Sequence, residues 1–330
     1  MTLENEINQP HRIGKELLLP LMENQFINIS KDDIAKWFMG LQDSICLALE
    51  KADGGANFKE DAWERTGGGG GRTRLIERGN VIEKGGVNFS AVFGKTPEKI
   101  LNKLGFEPQD FFATGVSIVL HPQSPMVPII HMNVRYFEMT GGAWWFGGGI
   151  DLTPHYVVDE DAVLFHRQMK SVCDKHHPAF YPKFKNWADD YFFIKHRQET
   201  RGVGGIFFDH LNESAMLTKE QLWAFVQDVG SSFAPAYTVL MHKNRDIAYE
   251  EHHQKWQEVR RGRYTEFNLV YDAGTKFGLD TDGRTESILM SLPPRAQWHY
   301  MFNPELGSPE AATLGKLVKG IDWVGKESVT

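Results

Sequence analysis

The stretch GGAWWFGGGIDLTPHY, residues 141 to 156, sets an acid, Asp151, directly after a Trp-Trp-Phe cluster and three consecutive glycines. In an extended strand successive side chains alternate between faces. Trp145, Gly147, Gly149 and Asp151 then share one face, and Trp144, Phe146, Gly148, Ile150 and Leu152 share the other. Two readings fit the bare face. Glycine admits a ligand close to the backbone and a neighbouring Trp supplies a wall, giving a flat floor with a carboxylate at its end to hold the donor groups of a broad ligand. A β-bulge or a tight sheet crossing would need the same small residues and carry no chemistry.

The same count places more polar groups. Within 115 to 121, Ser117, Val119 and His121 point one way and Val116, Ile118 and Leu120 the other. Within 131 to 135, His131, Asn133 and Arg135 share a face, opposite Met132 and Val134. A sheet covered on both sides is normally apolar on both, so a face bearing Ser, His, Asn and Arg either meets water or lines a cleft. Histidine, with an ordinary pKa of about 6.5, suits proton transfer at neutral pH, and a guanidinium fork matches a carboxylate. Each residue type also serves structure alone. A further candidate is WERTGGGGGRTRLIERG, with five glycines from Gly67 to Gly71 and four arginines. It lacks the Gly-Lys-Ser/Thr ending of a phosphate cradle, so a mobile basic lid or loop over residues 66–74 is the expectation.

These residues need elements to hold them. Ser30 with Asp33 opens a helix whose apolar stripe, Ile34, Trp37, Phe38, Leu41, Ile45 and Leu49, ends at Gly54 and Gly55. From about residue 87 the pattern changes to period two. VNFSAVF, TGVSIVLH, IIHMNVRYF, the opening stretch, GIFFD and TEFNLVYD read as strands, several of them neighbours in an antiparallel meander. Helices are expected over residues 159–176 and 182–197, and Thr218 with Gln221 begins another through a capping box. Strands in series with helices inserted in blocks give an α+β fold.

With 330 residues, 41% of them hydrophobic, the chain can bury a large core, and no linker divides it. A net charge of -7 argues against a general nucleic-acid binder or a polybasic membrane anchor. Cys46 and Cys173 are the only cysteines, too few for a disulfide framework or a thiolate metal site. The start MTLENEINQP has neither signal-peptide nor transit-peptide character, and no run long enough for an integral membrane segment follows, so the chain reads as cytoplasmic.

Four blocks, GVSIVLHPQSPMVPIIHMNVRYFE, WWFGGGIDLTPHY, FFIKHRQETRGVGGIFFD and RGRYTEFNLVYDAGTKFGL followed by RTESILMSLPP, closely resemble the oxygen-dependent coproporphyrinogen III oxidases. The resemblance runs from about residue 30 to the GSPEA and DWV segments near the end. It implies one α+β domain, a large antiparallel sheet flanked by helices on both sides with a deep cleft, and an N-terminal extension or arm over residues 1–29. It also implies oxidative decarboxylation of two propionates of coproporphyrinogen III to vinyl groups, giving protoporphyrinogen IX in haem biosynthesis. Oxygen is the co-substrate, carbon dioxide leaves, and no organic cofactor is used.

By the same resemblance His131 is the proton donor, Asp151 accepts the pyrrole N–H groups, and Arg135 faces a propionate. Substrate contacts fall on Ser117, Asn133, the Val134 backbone, Arg135, Asp282, Gly283 and Arg284. His121, His131, His166 and His196 match positions of a divalent metal in bacterial members; no local His-x-x-x-His motif supports that site, and structural histidines are the competing reading. A homodimer interface is expected over Tyr264 to His299. The chain departs from the family where most members have Asp-Arg-Gly-Thr, here Asp272, Ala273, Gly274 and Thr275, and where a Gly-Gly-Arg run is common, here Asp282, Gly283 and Arg284. A metal-dependent oxygenase on another large aromatic acid and a non-enzymatic tetrapyrrole carrier are the rival readings.

Overall fold

The computed structural model of the chain describes residues 29–96, 101, 105, 107–213, 217–280 and 283–326. The arm expected at the N-terminus lies outside the described residues up to residue 28. One seven-stranded antiparallel sheet organises the rest. Its strands are β1 (Lys59–Glu64), β2 (Gly69–Glu77), β3 (Ile82–Lys95), β4 (Asp110–Pro122), β5 (Ile129–Met139), β6 (Trp144–Thr153) and β9 (Gly204–Leu211), in that spatial order. Two short strands, β7 (Phe193–Ile194) and β8 (Glu199–Thr200), form a separate hairpin.

The alternation read from the sequence is the alternation observed. Val116, Ile118, Met132, Val134, Phe146 and Ile150 are all fully buried in the main core, whereas Ser117, His131, Asn133 and Arg135 on the opposite face stay partly exposed. Burying one such apolar side chain contributes roughly 1.5 to 3 kcal/mol, so a one-residue slip that moved the whole set to the other face is excluded energetically. Helices α1 (Lys31–Asp53) and α4 (Lys219–Asn244) cover the apolar face. The caps of α1 are as read: Ser30 Oγ accepts from the Asp33 amide at 3.1 Å, and Gly54 closes the helix at φ 71°. The capping box of Thr218 and Gln221 opens α4.

Helices α2 (Asp159–Asp174) and α3 (Phe180–Tyr191) flank the β9 edge, while α5 (Glu251–Val270), α6 (Ala273–Asp280) and α7 (Thr285–Leu289) lie on the polar side of the sheet. A last helix, α8 (Pro309–Lys316), precedes the described C-terminal residues. Three expectations are corrected. TEFNLVYD is not a strand but the end of α5: Trp256, Arg260, Tyr264 and Phe267, spaced three or four apart, are its buried stripe, and the alternation seen over eight residues was a fragment of that longer period. The helix expected over 182–197 ends at Tyr191, because Phe192 and Ile194 turn inward to a small apolar cluster with Phe267 and the chain reverses in the β7–β8 hairpin.

The third correction is the glycine-rich segment, which is no basic loop. Gly68 and Gly69, at φ 115° and 80°, make the turn that only glycine takes readily, and β2 then runs from Gly69. Its arginines are engaged: Arg72 and Arg74 reach Asp43 at 2.9 and 2.8 Å, and Arg74 reaches Glu60 at 2.9 Å. None of the described helices is long and apolar enough to cross a membrane.

Candidate active site

Strand register assembles the site. Ser117 pairs with Asn133, and Asn133 with Gly149; Arg135 lies between Gly115 and Gly147; His131 lies between Val119 and Asp151. Residues opposite each other in a ladder share a face, so Ser117, His131, Asn133, Arg135, Gly147, Gly149 and Asp151, all singled out by alternation, stand on one patch of β4, β5 and β6. Val134 belongs to the other face, buried in the core, so only its backbone can serve a ligand here.

Asp151 is the most enclosed member, with its side chain only 1% exposed. His131 Nδ1 lies 2.8 Å from Oδ1, and the Arg201 Nη2 donates to both oxygens at 2.9 and 2.7 Å. Burial works against the carboxylate, but the Arg201 charge and the His131 hydrogen bond outweigh it and hold the Asp151 carboxyl below its ordinary value. An ionised carboxylate only accepts, so Nδ1 of His131 carries the proton and Nε2 is the nitrogen left to exchange one. Arg201 is itself caged: Nη1 donates to Asn268 Oδ1 at 3.0 Å, and the guanidinium carbon sits 4.4, 4.7 and 4.7 Å from the ring centres of Phe192, Tyr264 and Phe267.

The glycine face is paved by neighbours. A Cβ on Gly147 would lie 2.6 Å from Asp209 Oδ1 and 2.7 Å from Arg135 Cζ, so an ion pair stretches across that residue. Arg135 donates to Asn133 Oδ1 at 2.7 Å through Nη1 and reaches Asp209 at 2.9 Å through Nη2. A Cβ on Gly149 would stand 2.6 Å from the Ile206 carbonyl oxygen and 3.2 Å from the Phe207 Cα, so this glycine serves the close approach of β9. The chain itself therefore fills the bare face at both glycines: Gly147 lies under the Arg135–Asp209 pair, and Gly149 serves the tight strand contact that the second reading called for. Tyr191 stacks on Phe207 at 4.0 Å and donates to Asp272 at 2.9 Å.

The segment around α7 lies against β2, β3 and β4. Asn88 Nδ2 donates to the Ser287 carbonyl at 2.8 Å, His121 Nε2 meets the Ser291 carbonyl at 2.8 Å, and Lys84 donates to the Leu292 carbonyl at 2.9 Å. The Met290 side chain packs directly over Gly86, where any Cβ would have to displace it. The segment brings Arg284 to the edge strand, where it pairs with Asp61, and places Gly283 beside it, hydrogen-bonded to the Gly278 carbonyl at 2.8 Å. Asp282 lies outside the described residues.

The four histidines expected around a metal are not assembled into one site. His121 and His131 stand on neighbouring strands, but His166 is buried with Nε2 on the Val203 carbonyl at 2.9 Å and Nδ1 on the Tyr181 hydroxyl at 3.0 Å. His196 sits in the β7–β8 turn, 2.7 Å from both Tyr271 and Glu266. Among the described residues no three His, Cys, Asp or Glu side chains are arranged to hold a metal ion. Both ring nitrogens of His166 and of His196 meet protein partners, whereas the buried His121 Nδ1 meets none.

Sequence reasoning missed Arg201, Asp209 and Asp61. Arg201 precedes Gly204, where β9 begins, so strand alternation assigns it no face. Asp209 stands just before His210, whose φ of 49° ends the regular pattern of the strand.

Residues 33–323 match the family described as Coproporphyrinogen III oxidase. The chain is 50% identical over 298 residues to the oxygen-dependent coproporphyrinogen-III oxidase, chloroplastic, of Glycine max, covering 86% of this chain and 77% of that protein. It is 49% identical over 298 residues to coproporphyrinogen-III oxidase 1, chloroplastic, of Arabidopsis thaliana, covering 86% and 76%. With the oxygen-dependent coproporphyrinogen-III oxidase of Parasynechococcus marenigrum (strain WH8102) it shares 48% identity over 315 residues, covering 88% and 86%.

Proposed function

The chain belongs to the coproporphyrinogen III oxidase family, and from that membership we propose that it decarboxylates two propionates of coproporphyrinogen III to vinyl groups with oxygen as the oxidant. Each propionate gives up carbon dioxide and the equivalent of one hydride, so each conversion releases two electrons. The four electrons from two propionates are those needed to reduce one oxygen molecule to water. The observation that carries the reading is the register of β4, β5 and β6, which puts Ser117, His131, Asn133, Arg135 and Asp151 on one face.

In this proposal His131 exchanges a proton through Nε2 while Asp151 holds its Nδ1. Asp151 supplies the negative charge that the pyrrole N–H groups approach, and deprotonation of a pyrrole makes the ring electron-rich enough to react with oxygen. Because Asp151 is enclosed by Arg201 and His131, its share in N–H recognition runs along the His131 side, the more open of the two. Arg135 and Arg284 receive propionates, with Ser117, Asn133, the Val134 backbone and Gly283 as polar neighbours; Asp282 belongs to the same proposal from sequence alone. No organic cofactor enters the proposed reaction. Pairing of two chains through Tyr264 to His299 is part of the proposal, as is a cytoplasmic location; the plant relatives carry the word chloroplastic in their names.

The test is product identification. Purified protein supplied with coproporphyrinogen III in air should yield protoporphyrinogen IX, and under argon it should yield none. A chain that binds the substrate in air without converting it would be a carrier, and the proposal would fail.

A further inference from the structure

The arginines of this site each meet a carboxylate from the chain itself. Arg201 meets Asp151, Arg135 meets Asp209 and Arg284 meets Asp61. Exposure separates the first pair from the other two. The side chains of Arg201 and Asp151 are 2% and 1% exposed, whereas those of Arg135 and Asp209 are 35% and 26% exposed and those of Arg284 and Asp61 30% and 51%. A carboxylate arriving from solution can reach the second and third pairs but not the first. A sealed pair is costly to open, since either partner would be left charged and desolvated, while a half-exposed pair is weakly held and exchanges readily.

We propose that Asp209 is a resident carboxylate that occupies Arg135 between turnovers and gives it up to a propionate of the substrate, with Asp61 doing the same for Arg284. The inference rests on the proposed function, which supplies the polycarboxylate. Asp209 has somewhere to go when Arg135 leaves it. Its Oδ1 already accepts from the His210 amide at 2.9 Å, and Oδ2 lies 3.5 Å from His210 Nδ1. The His210 ring is itself fixed by stacking on Trp145 at 4.8 Å. Gly147, which leaves room for the pair to lie across it, also leaves room for the exchange.

The exchange has two consequences. A simple monocarboxylate exchanges with Asp209 at Arg135 alone, whereas a ligand long enough to reach from β5 to the edge strand β1 exchanges with both resident acids, so the site favours extended polycarboxylates. Once a propionate has left as carbon dioxide, Arg135 returns to Asp209 and does not stand unpaired, which favours release of a product with fewer carboxylates.

The probe is coproporphyrin III, the oxidised tetracarboxylate, titrated by fluorescence against its tetramethyl ester. Asp209→Asn should bind the tetracarboxylate about threefold more tightly or better, with slower dissociation and no tightening for the ester. Asp61→Asn, on the exposed edge strand where folding is not at stake, should act in the same direction. In an Arg135→Gln background the Asp209→Asn gain should vanish, as a double-mutant cycle requires of a pair that interacts. If Asp209→Asn and Asp61→Asn both bind the tetracarboxylate no better than the wild type, or less well, the acids merely hold the arginines in place and the inference is overturned while the proposed function stands. A wild-type protein that neither binds the tetracarboxylate nor converts coproporphyrinogen III would overturn both.

Discussion

The pair Arg201–Asp151 decides what kind of acid Asp151 is. With one side chain 2% and the other 1% exposed, the carboxylate owes its charge to a guanidinium that the sequence pattern did not point to. Arg201→Met should therefore destabilise the protein by about 3 to 5 kcal/mol, the cost of leaving a buried carboxylate unpaired, and denaturant unfolding measures it. A loss below about 1 kcal/mol would mean the pair is open to water and weak. Legibility at this scale followed strand order. His131, Asn133, Arg135 and Ser117 could be placed on one face because alternation is local, and their cross-strand partners then followed from register. Arg201, Asp209 and Asp61 act through contacts between elements far apart in the chain, for which no local period exists.

Elements of the sheet were legible because burial on one face imposes period two over long runs, as in β4 and β5. Segment 192–197 and the end of α5 were misread because short stretches carry too few residues to separate period two from a helical stripe. Helix α2 carries a pH-dependent anchor. His166 bridges the Val203 carbonyl and the Tyr181 hydroxyl, tying α2 to the start of α3 and to the entry of β9. Burial pushes its pKa down from 6.5 to about 4. Between those values the unfolded chain binds a proton that the folded chain does not. Stability contributed by the neutral imidazole is complete above pH 6.5 and is lost as the pH falls toward about 4, at up to about 1.4 kcal/mol per pH unit. Unfolding free energy measured across this window should show a steeper fall in the wild type than in His166→Gln. Equal slopes would show that His166 titrates alike in both states.

For the whole molecule, the sequence supplied the α+β class, the antiparallel meander and the family resemblance, all of which stand. Pairing of two chains is a further expectation. Leu269, Val270, Leu279 and Trp298, all within the Tyr264 to His299 segment, are exposed apolar residues, 43% to 53% open in the single chain. Sedimentation at micromolar concentration should give a dimer, and aspartate at Leu269 or Val270 should shift it toward monomer. A wild-type monomer would remove that surface from the account. The central claim, aerobic decarboxylation at the face shared by β4, β5 and β6, is tested most directly by carbon dioxide release from coproporphyrinogen III, comparing wild type with Asp151→Asn in air and under argon. Asp151→Asn keeps the shape but removes both the charge that orients His131 and the counter-ion of Arg201, so the comparison belongs well below its melting temperature. The account predicts oxygen-dependent release of two carbon dioxide molecules per substrate by the wild type and a rate lower by orders of magnitude in folded Asp151→Asn. Near-normal release by the folded variant, or release by the wild type that continues under argon, would contradict it.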